Sequence, residues 1–374
     1  MAAVIPFARR LREAASAVGS SDRQSGIVPS LESYLVDELA MPSRFAALDR
    51  GQEITRQRAF TLQGDELAEL DRHAKYTVRP TFVADIPDAR IVSNGHGNEA
   101  LLMTDDNRLI LESSYDLEQL QASPLYGARL PRARKLKGRH IVVPTLWFNN
   151  HFHWVTDLLP RFSLLDAAGV GDDLPIVLPG PLSSGQFESV AMMGIDRQRL
   201  QCFTGMHWQI DEAIFPSLCS GTGNPSPIAM RWLRERLAPP SLGPTNRRIW
   251  VTRGTGAQRR ISNEPELESV LADFGFKTID PGRLSFAEQM STFSEAAIIA
   301  GPHGAGLTGM VAARDATVVE VFDPRYVNAC FYALADALGH RYSYMAGEPD
   351  TNDGVTVNPE RLAALLGEVI DHAS

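Results

Sequence analysis

The sequence predicts an α/β protein made of two successive open α/β units with parallel sheets, preceded by a small helical and β extension. From about residue 140 onward, apolar runs of strand length alternate with helical stretches, which is the pattern of parallel sheets covered by helices. A stretch rich in Gly, Ser and Pro at 217–227 separates two such series and looks like a hinge. The length of 374 residues is enough for two domains of ordinary size.

The composition is that of a globular protein, and it excludes several functional classes. Hydrophobic residues make up 44% of the chain and charged residues 22%, with a net charge of −9. The basic residues are mostly Arg, so we expect no nucleic-acid partner, although Arg suits a local phosphate site. The three cysteines have no metal-ligand spacing, which fits reduced thiols in a cytoplasmic protein. No run approaches the roughly 18 apolar residues of a membrane-spanning helix.

Residues 1–76 are predicted to be a partly helical extension, loosely organised. The segment 4–12 mixes apolar residues with three arginines but has neither the apolar core nor the cleavage site of a signal peptide. An amphipathic basic helix that touches anionic lipid and a frayed, solvated helix both fit this segment. If this segment binds lipid, the protein would be cytoplasmic and would also touch the inner face of the membrane.

Residues 77–225 are predicted to form the first domain. Short apolar runs separated by Gly, Asn and Asp turns at 77–114 indicate a small antiparallel β element. Strands and helices then alternate. The predicted strands lie at 141–144, 175–178, 200–203 and 212–215, and the predicted helices at 150–168 and 184–193.

Residues 226–345 are predicted to form the second domain, and residues 346–374 a C-terminal tail with a helix. Ser285 and Glu288 form a capping box that opens a helix in this domain. The predicted strands lie at 248–252, 276–279, 297–301, 317–322 and 341–344, and the other predicted helices at 228–237, 265–274, 328–338 and 359–373. Two open α/β units joined by a hinge lead us to expect a ligand in the cleft between them.

The first cluster that can carry chemistry lies at the start of the 150–168 helix. His153 and Asp157 are four residues apart, so they share one helix face, and a carboxylate beside an imidazole is a general-base arrangement. From spacing alone, a helix N-terminus with capping asparagines and an ordinary His–Asp surface pair is the favoured interpretation. A metal site with His151 is a third interpretation, but no further ligand stands nearby, so we expect none.

The second cluster is the loop at 252–264, where a predicted strand ends, two glycines turn the chain and Arg253, Arg259 and Arg260 flank the turn. A diphosphate needs its charge neutralised, and Arg is the natural source where no metal is present. A solvated basic loop is the structural alternative, and a lone Gly-x-Gly lacks the third glycine of a dinucleotide fingerprint.

The third cluster is the turn at 301–308, which we call the glycine turn. Gly301, Gly304 and Gly306 remove side chains where a strand gives way to a helix, so backbone N–H groups at the helix N-terminus can approach an anion. His303 can donate to a phosphate or a sugar oxygen, and Glu320 in the next strand can accept from ribose hydroxyls. The alternatives are a structural turn, a core histidine and a strand-end carboxylate.

These segments, in this order, resemble glycosyltransferase family 61. The family motif Asn-aromatic-x-His-Trp-x-x-Asp-x-x-Pro-Arg is matched at 150–161. Further matches are Arg-Arg-Ile-x-Asn-Glu at 259–264, Ser-Phe-x-x-Gln at 285–289, Gly-x-His-Gly-Ala-Gly-Leu-Thr at 301–308 and the acidic residue Glu320. The resemblance covers roughly residues 80–345. It departs from the family at Gly309, where Asn is frequent.

The resemblance implies a GT-B architecture, which has two facing Rossmann-like domains with the donor in the C-terminal one and the acceptor mainly in the N-terminal one. It implies an inverting mechanism, a nucleotide-sugar donor such as a UDP-sugar, a glycan or glycolipid acceptor, and no essential metal or other cofactor. Bacterial members are usually associated with capsule and other surface polysaccharides. The oligomeric state and the identity of the sugar do not follow from it.

Roles for individual residues follow from the residue chemistry and the resemblance together. Asp157 is the expected base, oriented by or sharing a proton with His153, and His303 is an alternative base or a sugar contact. The expected donor-binding residues are Thr252, Arg253, Arg259, Arg260, Gly301, His303, Gly304, Ala305, Gly306, Leu307, Thr308 and Glu320. The expected acceptor-side residues are Asn150, His151, Trp154 and Arg161.

Two competing functions remain at this stage. A non-catalytic nucleotide-sugar or glycan-binding protein can use the same scaffold, because a fold does not fix a function. A nicotinamide oxidoreductase is disfavoured by the missing dinucleotide fingerprint. An intact base and an unobstructed glycine turn favour the enzyme.

Overall fold

The computed structural model describes residues 24–93, 99–238, 245–253, 259–350 and 354–373. The helix predicted at 4–12 and the glycines of the Gly-x-Gly turn at 254–256 lie outside the described residues. The strands are β1 (Gly26–Val28), β2 (Phe45–Asp49), β3 (Gln52–Thr55), β4 (Lys75–Val78), β5 (Thr81–Ser93), β6 (Ala100–Met103), β7 (Arg108–Ile110), β8 (Arg134–Val142), β9 (Ile176–Pro179), β10 (Leu200–Phe203), β11 (His207–Pro216), β12 (Arg247–Val251), β13 (Phe276–Ile279), β14 (Ala296–Pro302), β15 (Thr317–Phe322), β16 (Arg341–Ala346), β17 (Glu348–Pro349) and β18 (Val355–Thr356).

The helices follow the same order. The α-helices are α1 (Leu31–Ser33), α2 (Ala68–Arg72), α3 (Leu117–Ala122), α4 (His151–His153), α5 (Phe162–Ala167), α6 (Ser184–Met192), α7 (Pro227–Leu237), α8 (Glu264–Asp273), α9 (Phe286–Ser294), α10 (Cys330–Leu338) and α11 (Pro359–Ala373). Turns of π-helix lie at Tyr34–Glu38 and Trp154–Leu158, and 3₁₀ segments at Pro42–Arg44, Leu111–Ser113, Leu159–Arg161, Arg197–Arg199, Pro281–Arg283 and Ala305–Ala312. Among the described residues, no helix has the length and apolar character needed to cross a membrane.

The chain forms two compact units and passes between them three times. Unit 1 contains Met1–Gln52 and Arg79–Thr222, and unit 2 contains Glu53–Val78 and Gly223–Ser374. The sequence placed its boundaries at 76/77, 225/226 and 345/346. The first predicted boundary differs because the extension is not a separate helical segment. Its described part contains strands that pair within each of the two units.

Unit 1 is built on one mixed sheet in the order β1-β7-β6-β5-β11-β8-β9-β10, with β2 also paired to β5. Strands β8 to β11 are parallel to their neighbours within that group, as predicted, but β11 also pairs antiparallel with β5. The predicted antiparallel element and the predicted parallel sheet are therefore one sheet, because β11 offers a pairing edge on each side.

The first strand of that element is longer than the sequence suggests. The runs at 82–83 and 89–92 belong to the single strand β5, which contains Pro87 and Asp88. Asp88 has a φ of 49°, so the feature that reads as a turn in the sequence is a local backbone irregularity within a continuous strand. The core packed on this part of the sheet includes Ile86, Ile91 and Phe215.

Unit 2 is built on an all-parallel sheet in the order β13-β12-β14-β15-β16, as the sequence predicts for an open α/β unit. Its strands are nearly continuous apolar runs, consistent with burial on both faces. The carboxyl ends of β12 and β14 carry the Arg253 loop and the glycine turn, so the sheet brings these two predicted segments to the same edge.

The segment 53–78 joins unit 2 through hydrogen bonds along β16. The backbone of Phe60 donates to the carbonyl of Tyr342 at 2.9 Å and accepts from the N–H of Tyr344 at 3.0 Å. The backbone of Gln57 donates to Asp336 and accepts from the hydroxyl of Tyr332. Hydrogen bonds, rather than a periodic apolar face, thus hold this segment on unit 2. The hydropathy pattern of the sequence therefore does not predict the place of the segment in the fold.

Candidate active site

The helical stretch at 150–167 begins where the sequence predicts it. Asn150 is extended, and its side-chain oxygen accepts from the N–H of Phe152 at 2.9 Å, which confirms the predicted cap. Helix α4 then passes into the π-turn Trp154–Leu158, in which Leu159 donates to the carbonyl of Trp154. Pro160 has no N–H for an ordinary helical bond, and we attribute the widened turn before it to that missing donor.

Asp157 lies in that π-turn and is buried with both carboxylate oxygens hydrogen-bonded. Oδ2 lies 2.7 Å from Nδ1 of His153 and also accepts from the hydroxyl of Tyr115. Oδ1 lies 2.8 Å from the hydroxyl of Thr156. Burial, reinforced by the charge of Asp157, raises the pKa of Tyr115 well above its ordinary value, so the phenol keeps the proton that it donates.

His153 is partly exposed, unlike Asp157. A carboxylate accepts, so the bond to Asp157 places a proton on Nδ1 and leaves Nε2 as the basic nitrogen of the neutral ring. Within the described residues, Nε2 makes no hydrogen bond. The geometry therefore makes His153 the group that can take a proton from a ligand, with Asp157 behind it. The sequence favours Asp157 itself, oriented by or sharing a proton with His153.

Arg161 is fully buried one helical turn after Asp157. Its Nε lies 3.1 Å from the carbonyl oxygens of both Pro216 and Ser217, and a further nitrogen donates to the carbonyl of Pro144. Burial lowers its pKa to about 10, so it stays charged at neutral pH and balances the Asp157 carboxylate. Arg161 is too buried to make the predicted contact with an acceptor. Its hydrogen bonds instead hold the helical stretch against the end of β11.

The other predicted acceptor-side residues lie in different environments. Trp154 is buried, and its indole N–H donates to the hydroxyl of Ser189 at 2.9 Å, which is a packing role. His151 is half-buried, and burial lowers its pKa to about 4, so it is neutral at neutral pH. Asn150 is exposed at the cap.

Two aromatic residues at this cluster were missed by the sequence reasoning. The ring of Trp147 stacks on Tyr115 with centroids 5.6 Å apart and lies 4.9 Å from the ring of His153. Trp147 has a φ of 53°, a backbone conformation that costs energy for a bulky residue and that surrounding contacts must hold. No local signal marks Tyr115, because it reaches Asp157 only through the tertiary fold.

In unit 2, three neighbouring strands build a second buried cluster. Nδ1 of His303, directly after β14, bonds to Oε1 of Glu320 in β15, and the hydroxyl of Tyr342 in β16 donates to Oε2. Glu320 is fully buried, so a ribose hydroxyl would have to displace one of these bonds to reach it. Burial and the charge of Glu320 raise the pKa of Tyr342 well above its ordinary value. His303 keeps Nε2 as the ring nitrogen available to a ligand.

The glycine turn makes room for a guanidinium group. A Cβ built on Gly304 would lie 1.8 Å from Nη1 of Arg253, and one built on Gly301 would lie 2.5 Å from the carbonyl oxygen of Val251. The guanidinium of Arg253 donates to the carbonyl of His303. Because Gly304 has no side chain, the guanidinium of Arg253 can lie at the start of the 3₁₀ segment Ala305–Ala312.

The rest of the glycine turn leads into that 3₁₀ segment. Ala305 and Gly306 are half-buried at its start, while Leu307 and Thr308 are fully buried. Within the described part of the chain, the hydroxyl of Thr308 is buried and has no hydrogen-bond partner. An unpaired buried hydroxyl is unusual in a folded protein.

The flanking arginines stand close together. Burial and the nearby charge of Arg259 lower the pKa of Arg253. Arg259 lies over the half-exposed ring of Tyr326, with 4.3 Å between its guanidinium carbon and the ring centroid. Neither arginine forms an ion pair with a carboxylate among the described residues, so an anion placed here would relieve the repulsion between them.

The remaining residues of this loop are occupied within the fold. The hydroxyl of Thr252 donates to Glu264 at 2.6 Å, and the same carboxylate accepts from the indole of Trp250. The backbone carbonyl of Arg260 accepts from Val355, and its side chain is half-buried. No three His, Cys, Asp or Glu side chains are grouped as metal ligands in the described ranges.

The comparison with known families identifies one region of the chain. Residues 151–319 match the model of Glycosyltransferase 61, a range that contains both the His153–Asp157 pair and the glycine turn. Among curated proteins, none matches the chain. Residues 151–319 of the chain are therefore a region of glycosyltransferase family 61.

Proposed function

We propose that this glycosyltransferase moves a sugar from a nucleoside diphosphate donor to a hydroxyl of a glycan or glycoconjugate, with inversion at the anomeric carbon. The observation that carries the proposal is the pair of neighbouring arginines beside the glycine turn, neither of which forms an ion pair with a carboxylate of the described residues. Their charge suits a diphosphate, and backbone N–H groups follow at the start of the segment Ala305–Ala312.

The displacement assigns the base role to His153. The acceptor oxygen forms a bond to the anomeric carbon while the bond from that carbon to the donor phosphate oxygen breaks, and the electron pair of the broken bond leaves with the diphosphate. The acceptor proton passes to Nε2 of His153. The side chain of Asp157, held by Tyr115 and Thr156, stabilises the resulting imidazolium.

The leaving diphosphate gains negative charge during this step. Arg253 and Arg259 would balance it, and the first N–H groups of the segment Ala305–Ala312 would donate to it. His303, oriented by Glu320, would contact the donor through Nε2. The planar ring of Tyr326 beside Arg259 offers a face for the base of the nucleotide.

Several finer assignments belong to the same proposal. A UDP-sugar is the first donor to test, the GT-B class is the proposed architecture, and surface polysaccharide synthesis on the cytoplasmic side of a membrane is the proposed setting. The support for GT-B is that each unit has its own sheet with parallel strands. The support for the other two assignments is the resemblance to the family.

A release assay tests the proposal. Purified protein is incubated with a panel of sugar nucleotides, with and without acceptor glycans, and free nucleoside diphosphate is measured. We expect one donor to be turned over. Tight donor binding without any release would favour the non-catalytic binding protein instead.

Metal dependence can be read in the same assay. Because we propose that arginines balance the diphosphate, we expect activity to survive exhaustive chelation with EDTA. The control is a return of Mg²⁺ or Mn²⁺ to the treated enzyme, which should leave the rate within about twofold. A complete loss on chelation that added Mn²⁺ reverses would contradict the arginine-based account.

A further inference from the structure

Unit 1 holds a cavity of about 550 Å³ that is lined by none of the residues of the His153–Asp157 cluster. We call it the Glu112 cavity. Its charged lining consists of Glu32, Asp49, Arg50, Arg79 and Glu112. The volume falls in the range of roughly 300–1,000 Å³ that is typical of small-ligand sites.

We propose that the Glu112 cavity binds the acceptor glycan, in a part of that glycan beyond the sugar that receives the new bond. The inference rests on the proposed function, and it adds a place for the acceptor within unit 1. Three features of the cavity carry it: the mixture of charges, the apolar wall and the connection to the catalytic helix.

The mixture of charges selects the ligand class. Carboxylates only accept hydrogen bonds and guanidinium groups only donate them, whereas a hydroxyl does both. A ligand rich in hydroxyls can therefore pair with all five charged side chains. A nucleotide would meet three carboxylates against two arginines, and an apolar ligand would leave the charges unpaired and desolvated.

Most of this charge is not used within the fold. Across the described ranges, Glu32, Arg50 and Arg79 form no ion pair, and Oε1 of Glu112 has no hydrogen-bond partner. The other oxygen of Glu112 accepts from the N–H of Leu31 at 2.6 Å, which fixes the carboxylate in place. Burial, aided by the nearby charge of Glu32, raises the pKa of Glu112. The lining thus combines a carboxylate held by a backbone N–H with the exposed side chains of Glu32, Arg50 and Arg79.

The apolar wall fits the hydrocarbon faces of sugar rings. Phe45 and Phe82 line the cavity with ring centroids 4.8 Å apart, and Leu218 lies beside them in the lining. Aromatic faces attract the weakly positive C–H groups of a pyranose ring while its hydroxyls bond at the edges. Polar groups of both kinds next to an aromatic wall match a carbohydrate better than any charged metabolite.

The cavity connects directly to the catalytic helix. Ser217 and Leu218 follow β11 and line the cavity. The carbonyl of Ser217 accepts from Arg161, one helical turn beyond Asp157, and Leu218 packs in the same apolar cluster as Tyr115. Ser217 and Leu218 therefore belong both to the lining of the cavity and to the surroundings of the catalytic helix.

Glycan binding without donor tests the cavity. Wild-type protein is applied to an array of defined neutral and acidic oligosaccharides, and the strongest ligand is titrated by calorimetry against Glu112→Gln and Arg79→Gln. Arg132→Gln is the matched control, since Arg132 is an exposed arginine of unit 1 outside the cavity. We expect binding of a neutral oligosaccharide that each cavity variant weakens about tenfold and the control leaves unchanged.

Either of two results would overturn the cavity assignment: no oligosaccharide binds, or the cavity variants bind as tightly as wild type. Donor hydrolysis without acceptor is measured on the same preparations. This second measurement tests the proposed sugar transfer independently of the cavity assignment. Cavity-dependent glycan binding without turnover of any donor would contradict the transfer and support the cavity. Turnover together with unchanged glycan affinity in the variants would contradict the cavity alone.

Discussion

His153 has one ring nitrogen fixed by a buried carboxylate and the other without a partner in the described residues. That asymmetry is what a general base requires, because the fixed nitrogen sets the tautomer and the other takes the proton. The same asymmetry is seen at His303, whose Nδ1 is held by Glu320. Their surroundings differ: His153 lies against Trp147 beside a helix, whereas His303 follows a strand at the arginine site.

Replacing the carboxylate behind His153 tests its role. Asp157→Asn preserves the shape of the side chain but removes the charge that fixes and stabilises the imidazolium. We expect kcat to fall by about 10²–10⁴-fold while the dissociation constant of the donor stays unchanged. Steady-state rates and calorimetric donor binding measure the two quantities, and Asp166→Asn on the same helical stretch is the matched control. A near-normal kcat would remove Asp157 from the mechanism.

The glycine turn makes a second prediction at the scale of one residue. In Gly304→Ala the new methyl group would occupy the place of the Arg253 guanidinium, with 1.8 Å between Cβ and Nη1. We expect the affinity for UDP to fall about 10–100-fold, because a charge-assisted contact is lost. Calorimetry measures the affinity, and Gly367→Ala is the control because nothing lies within 4 Å of its Cβ position.

The double variant Gly304→Ala with Arg253→Ala sharpens that test. Since both substitutions remove the same contact, we expect their effects not to add. Full additivity, or UDP binding by Gly304→Ala at wild-type strength, would show that the turn does not act through Arg253.

At the scale of elements, the helical stretch at 150–167 owes its position to a buried cation. Arg161 joins this stretch to the end of β11 through the carbonyls of Pro216 and Ser217, and the π-turn before Pro160 carries Asp157. The sequence predicts the helix and its Asn150 cap because both are local signals. It does not predict that Arg161 is buried, because the carbonyls it binds come from a distant strand.

The connection from α10 to β16 makes a pH-dependent prediction. His340 is buried there, its Nδ1 accepts from the N–H of Ala316 at 3.2 Å and its Nε2 donates to the carbonyl of Met310. Burial lowers its pKa from 6.5 to about 4. The folded state therefore resists protonation, and the stability it contributes is complete above pH 6.5 and lost as the pH falls towards 4.

Chemical denaturation as a function of pH measures this effect. Between pH 6.5 and 4 we expect this group to reduce the free energy of unfolding by about 3 kcal/mol. His340→Gln should remove that part of the slope, whereas His372→Gln, at an exposed histidine of α11, should leave it. An unchanged slope in His340→Gln would show that His340 is not the titrating group.

At the scale of the whole molecule, the sequence predicts what depends on local patterns. The α/β class, the order of strands and helices in unit 2 and the capping box of Ser285 with Glu288 are all confirmed. Family membership is confirmed for residues 151–319 because the motif spacing is a property of the sequence itself.

The sequence does not predict contacts between residues distant in the chain. The bond from Tyr115 to Asp157, the link from Glu320 to Tyr342 and the Trp147 stack need the fold to bring their partners together. The mixed sheet of unit 1 was missed for the same reason, since no local pattern shows that β11 pairs with β5.

The most direct test of the central claim is the release of nucleoside diphosphate from a sugar nucleotide by the wild-type protein and by His153→Gln. The account predicts that wild type turns over one donor in the presence of acceptor. It also predicts that His153→Gln binds that donor with unchanged affinity but loses about 10²–10⁴-fold in kcat. Donor binding without any release by wild type, or near-normal kcat in His153→Gln, would contradict the account.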